Sequence, residues 1–202
     1  MPARYTDAQQ TVDAARTALL STAGVRVVGV EEYRGRRIDA DYRFGPHECQ
    51  AFGRMEAGGW EVRRVDGSTF VRVDAGMLVA NGLQDRAAEL VGGRWLQVTA
   101  LVPKLPGADA VTLDGLLRTL PFDALRGGRV VPVAFRGEAT AMVVASSGAS
   151  MLVHVGTDPY PIRIVVPAAG TSYEFRSYGE APHVVAPADA FDVTGFHDVD
   201  GN

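Results

Sequence analysis

From residue 25 onward the sequence consists largely of short period-two runs joined by two-residue turns, a rhythm that dictates an antiparallel meander. Ile38, Ala40, Tyr42 and Phe44 alternate with Arg37, Asp39, Asp41 and Arg43, the pattern of a strand with one apolar and one wet face. Comparable runs fall near 25–32, 48–56, 60–65 and 68–73. The connections between them are short: Arg34-Gly35, Gly58-Gly59 and Asp66-Gly67. Asp-Gly between strand residues is a strong hairpin signal, because both central positions need positive φ. Hairpins in succession exclude a βαβ sheet.

Two segments do not follow this rhythm. Residues 6–23 read as an amphipathic helix, with Thr6-Asp7-Ala8-Gln9 as a capping box, Ala8, Val12, Ala15 and Leu19 at helical spacing, and Gly24 as a left-handed stop. Residues 83–126 read as a helical insertion. It holds a short helix over 83–91, a strand-like Arg94-Trp95-Leu96-Gln97-Val98, and Leu113, Leu116, Leu117 and Leu120 on one helical face. Thr112 caps that face and Pro121 stops it. Strand patterns resume at 130–135, 139–146, 149–156, 161–166 and 171–178, a second meander. The tail from 181 to 202, with Pro182 and Pro187, is expected to run extended along the surface or an edge. The whole is expected to form one domain over 1–202: α+β, a strongly curved antiparallel sheet of about ten strands, a half-barrel with helices packed on its concave face. Helices filling a concave sheet can leave an apolar gap beneath them, of the kind small molecules occupy.

Composition narrows the function classes. At 202 residues, 47% apolar, 22% charged and net charge −4, the chain is neither disordered nor strongly basic, which argues against nucleic acid as a partner. Lysine occurs once, at Lys104, so nineteen of the twenty basic residues are arginine; they are spread along the chain, as coding bias would spread them. One cysteine, Cys49, excludes a disulfide framework within the chain. No run reaches the roughly 18 apolar residues of a membrane helix. Residues 1–7 hold neither a signal-peptide core nor a lipobox cysteine. Two readings stay open: a chain that stays where it is made, or a processed one whose leader and anchor have been removed.

Catalytic patterns are sparse. His47, His154, His183 and His197 form no paired metal motif, and no Gly-x-Ser-x-Gly elbow, phosphate loop or dinucleotide fingerprint is present. His47 and Cys49 share a strand face, a thiolate–imidazole arrangement in principle; a half-buried cysteine beside a turn histidine is the simpler reading. Glu31 and Glu32 point to opposite faces. Asp39 and Asp41 share one, flanked by Arg37 and Arg43. Asp198-Val199-Asp200-Gly201-Asn202 starts like a calcium loop and lacks its downstream ligands. No enzyme, metal or cofactor is expected. Arg34, Arg36 and Arg37 form the one tight basic cluster, a solvated turn or a contact for an anionic headgroup.

Four segments carry a family resemblance: Ser68-Thr69-Phe70-Val71-Arg72; Gly92-Gly93-Arg94-Trp95-Leu96-Gln97-Val98; the leucine segment 113–120; and Asp158-Pro159-Tyr160-Pro161-Ile162-Arg163-Ile164, continued by Tyr173-Glu174-Phe175-Arg176-Ser177-Tyr178-Gly179-Glu180 and Val184-Val185-Ala186-Pro187. In this order the chain resembles the LolA-like lipoprotein-carrier superfamily, and within it envelope lipoproteins of the LppX/LprG type. The resemblance implies a half-barrel holding acyl chains in an apolar cavity outside the cytoplasmic membrane, with no catalytic residues. It also implies anchoring through an N-terminal lipoprotein signal since removed.

The expected function is therefore noncatalytic binding or transport of lipids or acylated amphiphiles. Each buried CH₂ contributes about 0.8 kcal/mol, so an acyl chain needs no motif to be held. The cavity wall is assigned to Met55, Trp60, Phe70, Trp95, Leu113, Leu116, Leu117, Leu120 and Phe122, with plain core packing as the competing reading for each. The alternative function is an envelope sensor or scaffold that binds a partner protein. A continuous pocket between sheet and helices favours the carrier, and tight packing there favours the scaffold.

Overall fold

The structure is a computed structural model that describes residues 5–98 and 111–193. Its frame is one unclosed twelve-stranded sheet, curved as a half-barrel and antiparallel at every pairing but one. The first meander is β1 (Val25–Tyr33), β2 (Arg36–Phe44), β3 (Cys49–Met55), β4 (Gly58–Val65) and β5 (Ser68–Val73). Helices α2 (Ala75–Ala80) and α3 (Asp85–Val91) then lead to the short β6 (Leu96–Val98). Helices α4 (Leu113–Thr119) and α5 (Phe122–Arg126) precede the second meander, β7 (Arg129–Phe135), β8 (Glu138–Val144), β9 (Ser150–His154), β10 (Pro161–Val166) and β11 (Thr171–Arg176). A two-residue β12 (Phe191–Asp192) ends the succession that the N-terminal helix α1 (Ala8–Ser21) begins. The strand order is β12-β6-β5-β4-β3-β2-β1-β11-β10-β9-β8-β7. The two meanders thus join at the centre, where Val27 faces Phe175 across β1 and β11.

Hairpin chemistry sets the register. Arg34-Gly35, Asp66-Gly67 and Arg136-Gly137 each place two successive residues at positive φ, so these two-residue loops twist with their strands. One turn differs from expectation. Met55 pairs with Gly58, so the loop is Glu56-Ala57 and the two glycines open β4. They are glycines because Asp74 packs on them: a Cβ on Gly58 would lie 2.9 Å from that of Asp74, whose Oδ2 accepts from the Gly59 N–H at 2.8 Å.

The helices are shorter than periodicity predicts. Asp7, not Thr6, caps α1, its Oδ1 accepting from the Gln10 N–H at 2.7 Å. Gly24 is no left-handed stop. It allows the tail to pass, since a Cβ there would sit 2.3 Å from the Glu180 carbonyl oxygen. Thr112 caps α4 as expected, accepting from the Gly115 N–H at 2.9 Å. After Leu120 and Pro121 the chain turns into the separate helix α5. The predicted helix over 83–91 is α3, and α2 before it carries a six-residue apolar sequence too short to show a period. The part of the insertion at 99–110, His197 and the acidic C-terminal segment lie outside the described residues.

Alternate strand residues point to the helices and form the main core. Val12, Ala15 and Leu19 of α1 and Leu116, Leu117, Phe122 and Leu125 of α4 and α5 pack on Val27, Tyr42, Ala51, Val62, Val143, Met151 and Phe175. α1 lies along α5, tied by Arg126 Nε to Asp13 Oδ1 at 2.8 Å. The opposite sheet face is mostly polar. The tail crosses part of it: Arg63 donates to the Val185 carbonyl at 3.2 Å, and β12 pairs in parallel with β6.

Candidate functional site

The concave face under the helices is the place to look for a ligand, and small residues shape it. Across β11, β1, β2, β3 and β4 one register row runs Tyr173, Gly29, Ala40, Gly53 and Trp60. Gly53 lets the Trp60 indole lie flat on the sheet: a Cβ there would meet the ring at 2.2 Å. Gly29 does the same for Tyr173, 2.7 Å from its ring. Tyr42, one row away, touches three aromatic rings. It stacks on Phe44 at 5.9 Å and meets Trp60 and Tyr173 at 6.4 Å each.

A polar cluster sits at one end of this aromatic floor. Glu31 shares the inner face of β1 with Val25, Val27 and Gly29, and its carboxylate accepts a hydrogen bond from the Tyr42 hydroxyl. The Tyr173 hydroxyl lies within electrostatic reach of the same carboxylate. Burial, reinforced by the Glu31 charge, holds both phenols well above their ordinary pKa. They therefore stay donors at any physiological pH. Beside them, Trp60 is 5% exposed and its Nε1–H has no hydrogen-bond partner. An unsatisfied buried donor costs about 1–3 kcal/mol.

Of the nine residues assigned to a cavity wall, the structure gathers seven. Trp60, Leu116, Leu117, Leu120 and Phe122 belong to the main core, and Met55 and Leu113 are partly buried against it. The other two are corrections. Phe70 and Trp95 lie on the opposite face, in a small cluster with Val65 and Val184. Phe70 and Val71 are both buried because β5 is covered on both faces, so adjacent apolar residues there do not share a wall. Leu116 and Leu117 are 1–2% exposed, so the gathered residues are packed side chain to side chain.

Hollows open at both ends of this layer. One, about 390 Å³, lies between the β2–β3 turn and the helices, with Leu20, Phe44, Cys49, Val111 and Leu113 in its wall. The other, about 870 Å³, lies at the β1–β2 and β3–β4 turns and is walled by Arg36, Arg37, Arg54 and Met55. Of the arginine cluster, Arg36 and Arg37 reach this hollow, whereas Arg34 lies over the Tyr33 ring at 5.1 Å. A third and larger groove, about 1160 Å³, runs over the outer face past Val28, Val30, Phe52, Arg54 and Arg72.

The His47–Cys49 pair is not built as a nucleophile. His47 is exposed in the turn, while Cys49 is buried and its burial pushes the thiol up to about 12. A thiol so placed is not a thiolate at neutral pH. Sequence reasoning missed Glu31, Tyr173 and Arg54. The signal for Glu31 was present, as a charge in register with Val25, Val27 and Gly29 on an otherwise apolar face.

No family model matches the chain, and no curated protein matches it in sequence. Among solved structures it is similar to LprF from Mycobacterium bovis, at 15% identity and a TM-score of 0.50, over 90% of this chain and 97% of that one. It also aligns with an uncharacterized conserved protein from Thermus thermophilus, at 11% identity and a TM-score of 0.43 over 93% and 98% of the two chains. A third alignment is to a DUF1329 family protein from Desulfovibrio piger, at 10% identity and 0.27 over 86% and 93%. The LprF likeness is one of fold.

Proposed function

We propose that the chain, as a single LolA-like domain, binds an acylated amphiphile between the concave sheet face and the helix layer, without catalysis and outside the cytoplasmic membrane. The observation that carries the reading is the pair of hollows at the two ends of one apolar layer. The smaller has Phe44, Cys49, Val111 and Leu113 in its wall. The larger is rimmed by Arg36, Arg37 and Arg54 together with Asp39 and Glu56, and Met55 in its wall packs against the core. Both volumes fall within the range of small-molecule sites, roughly 300–1,000 Å³. The layer between them is closed by short helices, seven residues in α4 and five in α5. Such helices have little stability of their own and are held by side-chain packing. An acyl chain entering there replaces one set of apolar contacts by another. The fold likeness to LprF and the family resemblance in sequence support the same reading.

Native mass spectrometry of the protein purified from its own host, with titration of a fluorescent fatty acid and of 1-monoolein, tests it. Co-purified acylated mass or saturable uptake is expected. Ligand-free protein that takes up neither probe would overturn the proposal. The tight packing of Leu116 and Leu117 favours the second reading, a scaffold for a partner protein, and that same negative result would leave it standing.

A further inference from the structure

Resting on the carrier reading, we propose that Trp60 is the polar seat of the ligand, its indole N–H donating to the carbonyl oxygen of an ester-linked acyl chain. The floor around Trp60 is otherwise fully matched. The Tyr42 hydroxyl is spent on Glu31, and the Tyr173 hydroxyl faces the same carboxylate. The indole N–H is left over, buried on the concave face with no acceptor. Among the described residues one other buried side-chain nitrogen shares that condition, Arg43 Nε, and it belongs to the polar face of β2. A buried donor that the fold itself does not satisfy is the natural partner for an acceptor brought in by a ligand.

Position gives the ligand a direction. Gly53, under the indole, is two residues from Met55 on the same face of β3, and Met55 lines the arginine-rimmed hollow. The other hollow lies at Cys49 and Arg64, four residues along β4 from Trp60 and roughly 13 Å of strand away. A carbonyl at Trp60 therefore places the headgroup towards the hollow that Met55 and Arg36 line. The acyl chain runs the other way, past Tyr42, Ala51 and Val62 towards Phe44 and Leu113. Glu31, bonded by the Tyr42 whose ring meets Trp60, disfavours a free carboxylate in that seat and favours an uncharged ester.

The test compares 1-monoolein with 1-O-oleylglycerol, the ether that lacks only the carbonyl, as competitors for Nile red bound to the full chain. Trp60→Phe is expected to weaken monoolein about 5- to 10-fold, the worth of one hydrogen bond, and to leave the ether within about twofold. In the unaltered protein, the ¹⁵N–¹H signal of the Trp60 indole is expected to move downfield with monoolein and not with the ether. Trp95→Phe identifies that signal without touching the seat, so the proposal stays testable even if Trp60→Phe does not fold. Equal responses to ester and ether, in affinity or in indole shift, would overturn the seat while leaving the carrier intact. Failure of both compounds to displace Nile red would overturn the carrier and the seat with it.

Discussion

On the helix-covered face of the sheet, Leu116, Leu117, Leu120 and Leu125 interlock with strand side chains in one continuous core. On the tail-covered face, Trp95 packs against two guanidinium groups, Arg63 at 4.6 Å and Arg72 at 4.9 Å, with Val65, Phe70 and Val184 as its apolar company. Both arginines also bond Glu61, which is 5% exposed and accepts from Gln50 as well. The first face is dry because helices bring hydrocarbon to it. The second is dry in one place only, where a strap of chain and a charge-matched network exclude water together. A ligand made of hydrocarbon has something to replace on the first face and almost nothing on the second. That contrast is the physical reason for placing the site under the helices although a larger groove runs over the outer face.

The largest effect should come from breaking the first face. Leu116 is 1% exposed in the main core, and Leu116→Ala should cost about 2–5 kcal/mol through lost transfer energy and the cavity left behind. Denaturant unfolding measures the loss. If the layer is a closed carrier site, the same variant should take up a fluorescent fatty acid more readily, because the cavity lies where the chain goes. A solid scaffold core loses stability without gaining uptake.

The second effect belongs to the outer network. Glu61→Ala leaves Arg63, Arg72 and Gln50 without their shared acceptor. Charge-assisted bonds of this kind contribute about 1.5–3 kcal/mol, and the exposure of Arg72, 44%, places the loss towards the lower figure. The unfolding midpoint should fall, and Trp95 fluorescence should shift to the red as the guanidinium groups leave the ring. Ligand uptake should not change. A change in uptake would mean that the two faces are coupled through β4.

How legible each face is in the sequence follows from the same contrast. The order of hairpins, the leucine face and its Thr112 cap are local patterns, and the structure contains them. What was not legible depends on segments distant in the chain. Trp95 and Phe70 read as wall residues because nothing near them announces that Val184, some ninety residues away from Trp95, will cover them on the other side. Gly24 read as a helix stop because the passage of Glu180 beside it is likewise long-range. Of the nine residues assigned to a wall, seven lie in or against the main core, since leucine spacing and strand parity are local. The Glu31–Tyr42–Tyr173 cluster needed the pairing of β11 with β1, which joins the two ends of the chain.

A smaller effect should separate strap from core. Val184→Ser removes the tail's apolar anchor, 5% exposed, at a cost of about 1–2 kcal/mol. The loss should be local. Hydrogen exchange should quicken at Phe191 and Val193, whose N–H groups bond Trp95 and Gln97, while the amides of β1 and β2 keep their protection. Faster exchange across β1 and β2 would show that the tail is an integral part of the core and would erase the distinction between the faces.

The smallest effect lies wholly on the wet face and carries its own pH signature. Asp41 accepts two hydrogen bonds from Arg26, at 2.9 and 2.7 Å, and lies 3.5 Å from Arg43. Burial pushes its carboxyl up, but the bonds and charge of Arg26, with Arg43, more than reverse this and hold it below the ordinary carboxylate value of 3.8. A carboxyl whose folded pKa lies below its unfolded one stabilises the fold at pH values above the unfolded pKa. That contribution is lost as pH falls through the folded pKa. Asp41→Asn should therefore cost up to about 1 kcal/mol at neutral pH, small because both arginines are 42% exposed. The difference from the unaltered protein should shrink below about pH 4 and should also narrow in high salt. A difference that persists unchanged at pH 2 would mean that Asp41 acts through packing, and that the outer face too is held by shape and not by charge.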